Sequence, residues 1–146
     1  YLRMDHLPVR MQAHGRMAEF LAGKMQKSNI PVIYPSLPTH PQSKLFCEIA
    51  NPTYGFGGIL TVDCGTSDRA RTLATKLQDE KFGLYAVSLG FSRTLMSCSA
   101  KSTSSEIPEN EQKAMGLSPG LLRFSIGYVG DPETMWSRFL KCWESL

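Results

Sequence analysis

Apolar residues recur at steps of three and four along the first part of the chain, which is the spacing of one helix face. Pro8 stands in the first turn, and residues 28–31 (SNIP) carry a stop signal. The pattern predicts a helix from about residue 8 to residue 28, with inward positions Leu7, Met11, His14, Ala18, Leu21 and Met25. We expect residues 1–30 to be a long linking helix and residues 31–146 to form a single domain.

Four later stretches have the composition of β-strands, and helical patterns separate them. The predicted strands are residues 32–34, 59–64, 84–89 and 120–128. The predicted helices begin at Thr39, at Thr66 or Ser67, at Pro108 and at Asp131. The helix that begins at Thr39 should carry Leu45, Phe46 and Ile49 inward. Residues 91–106 are rich in Ser and Thr and are predicted to be a loop.

This order of elements predicts an α/β (α+β-like) fold. A four-stranded, mainly antiparallel or mixed sheet would be covered on one side by helices, because one helix layer and one sheet layer bury this many apolar faces. The other side of the sheet would then be free to meet a partner.

The last predicted strand places one arginine among apolar residues. Alternation puts Leu122, Phe124, Ile126 and Tyr128 on one face, and Leu121, Arg123, Ser125 and Gly127 on the other. The Arg123 guanidinium therefore points away from the core, where its planar fork can bind a carboxylate through two parallel hydrogen bonds. Two hypotheses stay open here: Arg123 binds an external anion, or it forms an internal salt bridge with an Asp or Glu of a neighbouring element.

The charged residues of the sequence indicate which classes of partner can be excluded. The 146 residues include 16 basic and 13 acidic side chains, which gives a formal charge of +3 without a basic block. We therefore expect neither nucleic acid nor a membrane as a partner. The chain starts with neither an initiator methionine nor a signal peptide, so we expect a piece of a longer protein.

The cysteines and the candidate nucleophiles do not indicate an active site. Cys47, Cys64, Cys98 and Cys142 are widely separated, which favours reduced thiols in a cytoplasmic protein over a disulfide framework. No cysteine pair has the spacing of metal ligands, so no metal site is predicted. The sequence contains neither a nucleophile elbow nor a cysteine with a convincing histidine partner. It therefore predicts no catalytic residue in this chain.

Four segments taken together resemble one enzyme family. They are YPSLPTHP at 34–41, YGFGG at 54–58, AVSLG at 86–90 and GLSPGLLRFSIG at 116–127. Their order and spacing resemble the C-terminal domain of the pyridoxal-phosphate-dependent enzymes of cysteine and methionine metabolism, which include cystathionine gamma-synthase and methionine gamma-lyase. The resemblance runs from near Pro8 to the end of the chain. It implies the small C-terminal domain of fold-type I pyridoxal-phosphate enzymes.

The resemblance also implies a substrate site. Arg123 would be the bidentate clamp on the alpha-carboxylate of an amino-acid substrate. Ser88 matches a family serine beside that carboxylate, and the backbone at Leu89 lies nearby. Thr103 falls where the family has a Met-Thr-His segment that borders the active site, although Ser102 and Ser104 replace its neighbours here.

The cofactor belongs to a part of the family pattern that is missing from this sequence. Family members bind pyridoxal phosphate through a lysine in a Ser-x-Thr-Lys context, in an N-terminal catalytic domain that precedes this one. The resemblance therefore implies that the missing N-terminal part binds the cofactor, and that the fragment alone is inactive. Relatives assemble as homotetramers.

Details of the sequence favour one activity within the family. Val87 stands where members that process cystathionine carry Glu, and residues 94–106 resemble methionine gamma-lyases of plant-like form. We therefore expect a carbon-sulfur lyase that acts on methionine or a related sulfur amino acid. A cystathionine gamma-synthase or gamma-lyase domain is the alternative within the family, and a non-catalytic interaction module is the alternative outside it. Arg93 replaces an acidic residue of the family pattern, which leaves the substrate preference open.

Overall fold

The computed structural model describes residues 4–98 and 107–146. In these ranges the helices are α1 (Leu7–Lys27), α2 (Ser43–Ile49), α3 (Ser67–Asp79), α4 (Glu109–Ala114) and α5 (Pro132–Glu144), with a 3₁₀ turn at Pro52–Tyr54. The strands are β1 (Val32–Ile33), β2 (Ile59–Asp63), β3 (Leu84–Tyr85), β4 (Leu95–Cys98) and β5 (Leu121–Ser125). The predicted α/β class is confirmed. None of the described helices combines the length and the apolar composition needed to cross a membrane.

All five described strands form one sheet in the order β1-β2-β5-β4-β3. β5 lies at the centre, antiparallel to β2 and to β4. β1 is antiparallel to β2, and β3 is parallel to β4, so the sheet is mixed, as predicted.

The predicted number of four strands is wrong. Residues Leu95–Cys98 lie in the predicted serine-rich loop, but they form β4 between β3 and β5. All four residues of β4 are buried. A strand that is buried on both faces has no alternation of apolar and polar residues, so the pattern gave no signal for it.

Helices α1, α3 and α5 pack on one face of the sheet. In the core, the ring of Phe124 on β5 lies edge-on to Phe82 and to Phe139 of α5, with both centroid distances at 6.0 Å. Helix α1 contributes a continuous buried stripe, which consists of His14, Gly15, Met17, Ala18, Leu21, Ala22 and Met25. The helical layer therefore takes up one face of the sheet and leaves the other face for the site.

The predicted start of α2 is wrong. Residues 39–42 form turns, and the helix begins at Ser43. Leu45 and Ile49 are 50% and 74% exposed instead of pointing inward, and only Phe46 packs, with its ring stacked on Phe56 at 5.2 Å. Seven residues make about two turns, and none of the residues of this short helix is buried.

The predicted caps of α3 and α5 are found in the structure. The Thr66 hydroxyl accepts a hydrogen bond from the Arg69 amide at 3.3 Å, and the Asp131 carboxylate accepts one from the Thr134 amide at 2.8 Å. Such side chains bind amide groups that have no partner within the helix.

Candidate functional site

Arg123 lies in the middle of β5, on the face of the sheet opposite to the helices. Its cross-strand neighbours on this face are Thr61 of β2 and Ser97 of β4. Leu122 and Phe124, on either side of it in sequence, are completely buried on the helical face. The predicted alternation along this strand is therefore confirmed, because successive side chains of a strand point to opposite faces.

The Arg123 side chain extends from β5 towards the edge of the sheet at β3. Its Nη2 donates a hydrogen bond to the Val87 carbonyl oxygen at 3.3 Å, and Val87 follows β3 in the chain. Its Nε is buried and has no hydrogen-bond partner within the described residues. A guanidinium has five N–H donors, so most of its binding capacity remains available to a ligand.

No carboxylate in residues 4–98 or 107–146 forms an ion pair with Arg123. Asp63 lies on the same face of β2, but it stabilises a neighbouring turn instead. Its Oδ1 accepts hydrogen bonds from the Gly65 amide at 2.8 Å and from the Ser118 hydroxyl at 2.6 Å. In the part of the chain that the structure describes, no acid therefore forms the internal salt bridge that the alternative hypothesis requires.

Residues 86–94 connect β3 to β4 and run along β5; we call them the strap. Val87 accepts the hydrogen bond from Arg123, and the Gly90 amide donates a hydrogen bond to the buried Ser125 hydroxyl at 3.0 Å. The strap is thus bound to two side chains of β5 that lie on the same face, two residues apart.

Gly127 brings the strap into backbone contact with the end of β5. A Cβ at this position would overlap with Ser92 O, Arg93 C and Thr94 N. The Gly127 amide donates to the Thr94 hydroxyl at 3.0 Å, and the Tyr128 amide donates to the Ser92 carbonyl at 2.9 Å. The approach requires glycine because any side chain would separate the two backbones.

The sequence-predicted site residues Ser88 and Leu89 lie on the strap, between the two contacts that bind it to β5. Both are exposed, and they do not belong to β3, which ends at Tyr85. The predicted strand 84–89 is therefore too long, and the structure brings these two residues close to Arg123 through the strap. Thr103 lies outside the described residues.

The sequence pattern assigned no role to two residues of this face, Ser97 and Ser125. The alternation placed Ser125 beside Arg123, but a serine in that position carries no signal for a contact with residue 90. Ser97 fell inside the predicted loop, and only the pairing of β4 with β5 places it next to Arg123. The register of the β4–β5 pair would have identified Ser97, and the path of the strap would have identified Ser125, but neither can be read from one sequence.

Arg93 lines a different part of the molecule. It borders a cavity of about 250 Å³ together with Lys81, Val129, Met135 and Arg138. Arg123 does not line this cavity.

Two of the segments that resemble the family are joined by Tyr34. Its hydroxyl donates a hydrogen bond to the Gly57 carbonyl oxygen at 2.8 Å. Burial raises the pKa of Tyr34 above its ordinary value, and the charge of Glu19 adds to this, so the hydroxyl stays a neutral donor. The contact fixes the glycine-rich bend that leads into β2.

The open face of the sheet and the strap carry exposed apolar side chains. They are Ile33, Ile59, Val87, Leu89 and Phe91, with exposed fractions between 41% and 63%. Apolar side chains grouped in this way are typical of a surface that contacts another protein segment.

The profile of one protein family, described as Cys/Met metabolism PLP-dependent enzyme, matches residues 3–131. The chain belongs to this family.

Individual members of the Cys/Met metabolism family are similar over most of the chain. Methionine gamma-lyase of Arabidopsis thaliana is 48% identical over 140 residues, which cover 95% of this chain and 32% of that protein. Cystathionine gamma-lyase of Dictyostelium discoideum is 32% identical over 123 residues, which cover 83% of this chain and 30% of that protein. The chain spans about a third of the length of these curated relatives.

A solved crystal structure has the same fold over nearly all of this chain. It is that of a putative O-acetylhomoserine (thiol)-lyase from Campylobacter jejuni, and it contains N'-pyridoxyl-lysine-5'-monophosphate. The TM-score is 0.84 at 26% identity, and the match covers 95% of this chain and 32% of that chain.

The described residues of this family member do not fit the pyridoxal phosphate cofactor. A covalent link to the cofactor beside Arg123 would need a lysine on the open face of the sheet. Lys24, Lys76 and Lys141 lie on the helices of the other face and bind Glu133, Ser145 and Glu80. The other three described lysine side chains are exposed, at Lys27, Lys44 and Lys81, and none of the five described strands and no position of the strap carries a lysine. The arrangement around Arg123 fits a carboxylate instead.

Proposed function

We propose that this chain is the C-terminal, substrate-carboxylate-binding domain of a pyridoxal-phosphate-dependent carbon-sulfur lyase. The substrate is methionine or a related sulfur amino acid. The observation that carries the proposal is the position of Arg123 on the open face, where no described acid pairs with it. A guanidinium in this setting needs an anion, and a substrate carboxylate matches the geometry of its fork.

Within this site Arg123 binds both oxygens of the substrate alpha-carboxylate. The Val87 carbonyl holds the guanidinium from the side of the strap, as the bond of 3.3 Å supports. Ser88 and the backbone at Leu89 contact the same carboxylate, and Thr103 borders the site. The exposed position of Ser88 and Leu89 on the strap supports these roles.

The task of these residues is to orient the substrate. Pyridoxal phosphate supplies the electron sink of enzymes in this class. A substrate that is fixed by its carboxylate presents one Cα–H bond to the base that removes the proton, and such fixed geometry lowers the barrier of the reaction. The residues that hold the cofactor, and that base, lie in an N-terminal catalytic domain that contacts the open face. The exposed Ile33, Ile59 and Leu89 support this contact.

Further features of the whole protein belong to the same proposal. The first 30 residues link the N-terminal domain to the domain formed by residues 31–146. The enzyme is a cytoplasmic homotetramer. Its four cysteines are free, which supports a reducing compartment.

Methionine is favoured as the substrate by the relatives. The identity to a methionine gamma-lyase is 48%, against 32% to a cystathionine gamma-lyase. Val87, in place of the Glu expected in members that process cystathionine, supports the same choice. Cystathionine gamma-lyase chemistry is the second candidate, because several such enzymes match more than four fifths of the chain.

The activity of the full-length protein loaded with pyridoxal phosphate tests the proposal. Methanethiol release from L-methionine is measured beside cystathionine cleavage and cystathionine formation from an activated homoserine. The proposal predicts that methanethiol release has the highest kcat/KM. Faster turnover of the cystathionine reactions with no methanethiol would reject methionine as the substrate, and no turnover in any assay would favour an interaction module.

A further inference from the structure

Two buried polar atoms on neighbouring strands have no hydrogen-bond partner in the described part of the chain. They are Nε of Arg123 on β5 and Oγ of Ser97 on β4. The two residues are direct cross-strand partners, so their side chains rise from the same face with Cβ atoms about 5 Å apart. One atom is a donor and the other is an acceptor, so each could satisfy the other.

The route of the Arg123 side chain brings these atoms together. Its Nη2 binds the Val87 carbonyl oxygen, and Val87 follows β3. In the sheet, β4 lies between β5 and β3. The side chain of Arg123 therefore passes over β4, and the residue of β4 that faces it is Ser97. Thr61, the neighbour on the opposite side, lies away from this route.

We propose that Ser97 is a positioning residue for Arg123. A rotation about χ1 lets the Ser97 hydroxyl accept the Nε hydrogen when the guanidinium binds the substrate carboxylate. This inference rests on the proposed function of Arg123. Its physical basis is that buried polar groups in proteins are nearly always paired, and that mutual pairing satisfies both atoms without a third group.

The pairing would define which edge of the guanidinium meets the substrate. Ser97 holds Nε, and Val87 holds one hydrogen of Nη2. The terminal edge, formed by Nη1 and the second hydrogen of Nη2, then remains for the two carboxylate oxygens. Ser97 is also completely buried, so its small side chain leaves room for the arginine above β4.

The test measures ligand binding to the full-length, pyridoxal-phosphate-loaded protein through the absorbance of the cofactor. The first ligand is L-norleucine, which has the shape of methionine and no sulfur to eliminate. The second is L-norleucinol, in which an alcohol replaces the carboxylate. The single variants are Ser97→Ala, Ser97→Cys, Ser97→Thr and Arg123→Lys. A double variant combines Ser97→Ala with Arg123→Lys. Ser137→Ala is the matched control, because Ser137 is an exposed serine of α5 whose hydroxyl donates to the Glu133 carbonyl.

The inference predicts that Ser97→Ala and Ser97→Cys raise the Kd of norleucine about tenfold, because each removes a good acceptor from a charged donor. The Kd of norleucinol should stay unchanged in both variants. Ser97→Thr should restore most of the norleucine affinity, and Ser97→Ala should have no further effect in the Arg123→Lys background. Ser137→Ala should behave as the unmodified protein.

Two results would overturn the role of Ser97 and leave the proposed function intact. One is unchanged norleucine binding in Ser97→Ala and Ser97→Cys while Arg123→Lys weakens it. The other is an equal loss of affinity for both ligands, which indicates a general packing effect. Unchanged norleucine binding in Arg123→Lys would reject the proposed function, and the inference with it.

Discussion

The Ser125 hydroxyl accepts a hydrogen bond from the Gly90 amide at 3.0 Å. Ser125 is 2% exposed and lies two residues after Arg123 on β5. Strand β5 therefore carries both Arg123, which we propose binds the substrate carboxylate, and Ser125, which binds the strap. The position of Ser88 and Leu89 relative to the guanidinium depends on this contact.

Ser125→Ala should weaken substrate binding more than it affects the fold. The variant loses the acceptor for the Gly90 amide, and one such hydrogen bond contributes about 1 kcal/mol, or about fivefold in affinity. We expect KM for methionine to rise by about this factor with little change in kcat. Steady-state kinetics of the full-length protein measure the effect, with Ser137→Ala as the control. Equal KM values in the two variants would show that the strap does not depend on Ser125.

A methyl group at Gly127 should destabilise the domain severely. The new Cβ would overlap with three backbone atoms of residues 92–94, and backbone cannot rotate away as a side chain can. We expect Gly127→Ala to lower the free energy of unfolding by about 3 kcal/mol or more. Urea denaturation of the full-length protein measures this.

Gly23→Ala is the matched control for Gly127→Ala. Gly23 lies within α1, and a Cβ there meets no atom within 4 Å. This substitution should stabilise the protein by about 0.5 to 1 kcal/mol because alanine favours the helix. Similar effects at the two positions would contradict the close approach of the strap to β5.

The elements with a clear period were predictable from the sequence. The alternation of Leu122, Arg123 and Phe124 predicted which face of β5 carries the arginine, because a strand has a strict period of two. The cap residues Thr66 and Asp131 marked the starts of α3 and α5, because few residues bind free helix amides well. In these cases the local chemistry and the tertiary structure agree.

The elements that depend on tertiary contacts were not predictable in this way. β4 is a strand because β3 and β5 pair with it from both sides, although its sequence LMSC has no alternation. The strap begins at residue 86, where apolar residues suggested that β3 continues. The residues of the site divide in the same way. Arg123 was predictable from its residue type and from the alternation of its strand. Ser97 is placed by strand pairing and Ser125 is bound by the strap, so neither role was predictable from the sequence.

Cys47 and Cys64 should differ in their rate of reaction with thiol reagents. Burial raises the pKa of Cys64 to about 12, and the neighbouring Asp63 carboxylate adds to this. Its thiol therefore stays protonated until strongly alkaline pH, and only the thiolate reacts. Cys47 is exposed on α2. At pH 8 the native full-length protein should be alkylated by iodoacetamide at Cys47 and not at Cys64, as peptide mass spectrometry measures.

The control for this reaction is the protein unfolded in urea, in which both thiols should react. Alkylation of Cys64 in the native state at pH 8, at the rate of Cys47, would contradict the burial of Cys64 directly after β2.

The central claim is that Arg123 binds the carboxylate of an amino-acid substrate, and its most direct test is the Kd of L-norleucine for the full-length Arg123→Ala variant. Arg71→Ala is the control, because Arg71 is an exposed arginine of α3 that pairs with the exposed Asp68 one turn earlier. The account predicts that Arg123→Ala raises the Kd about a hundredfold, from the loss of about 3 kcal/mol of charged hydrogen bonding. The melting temperature and the cofactor absorbance should stay as in Arg71→Ala. An unchanged Kd, or a protein that unfolds when Arg123 is replaced, would contradict the claim.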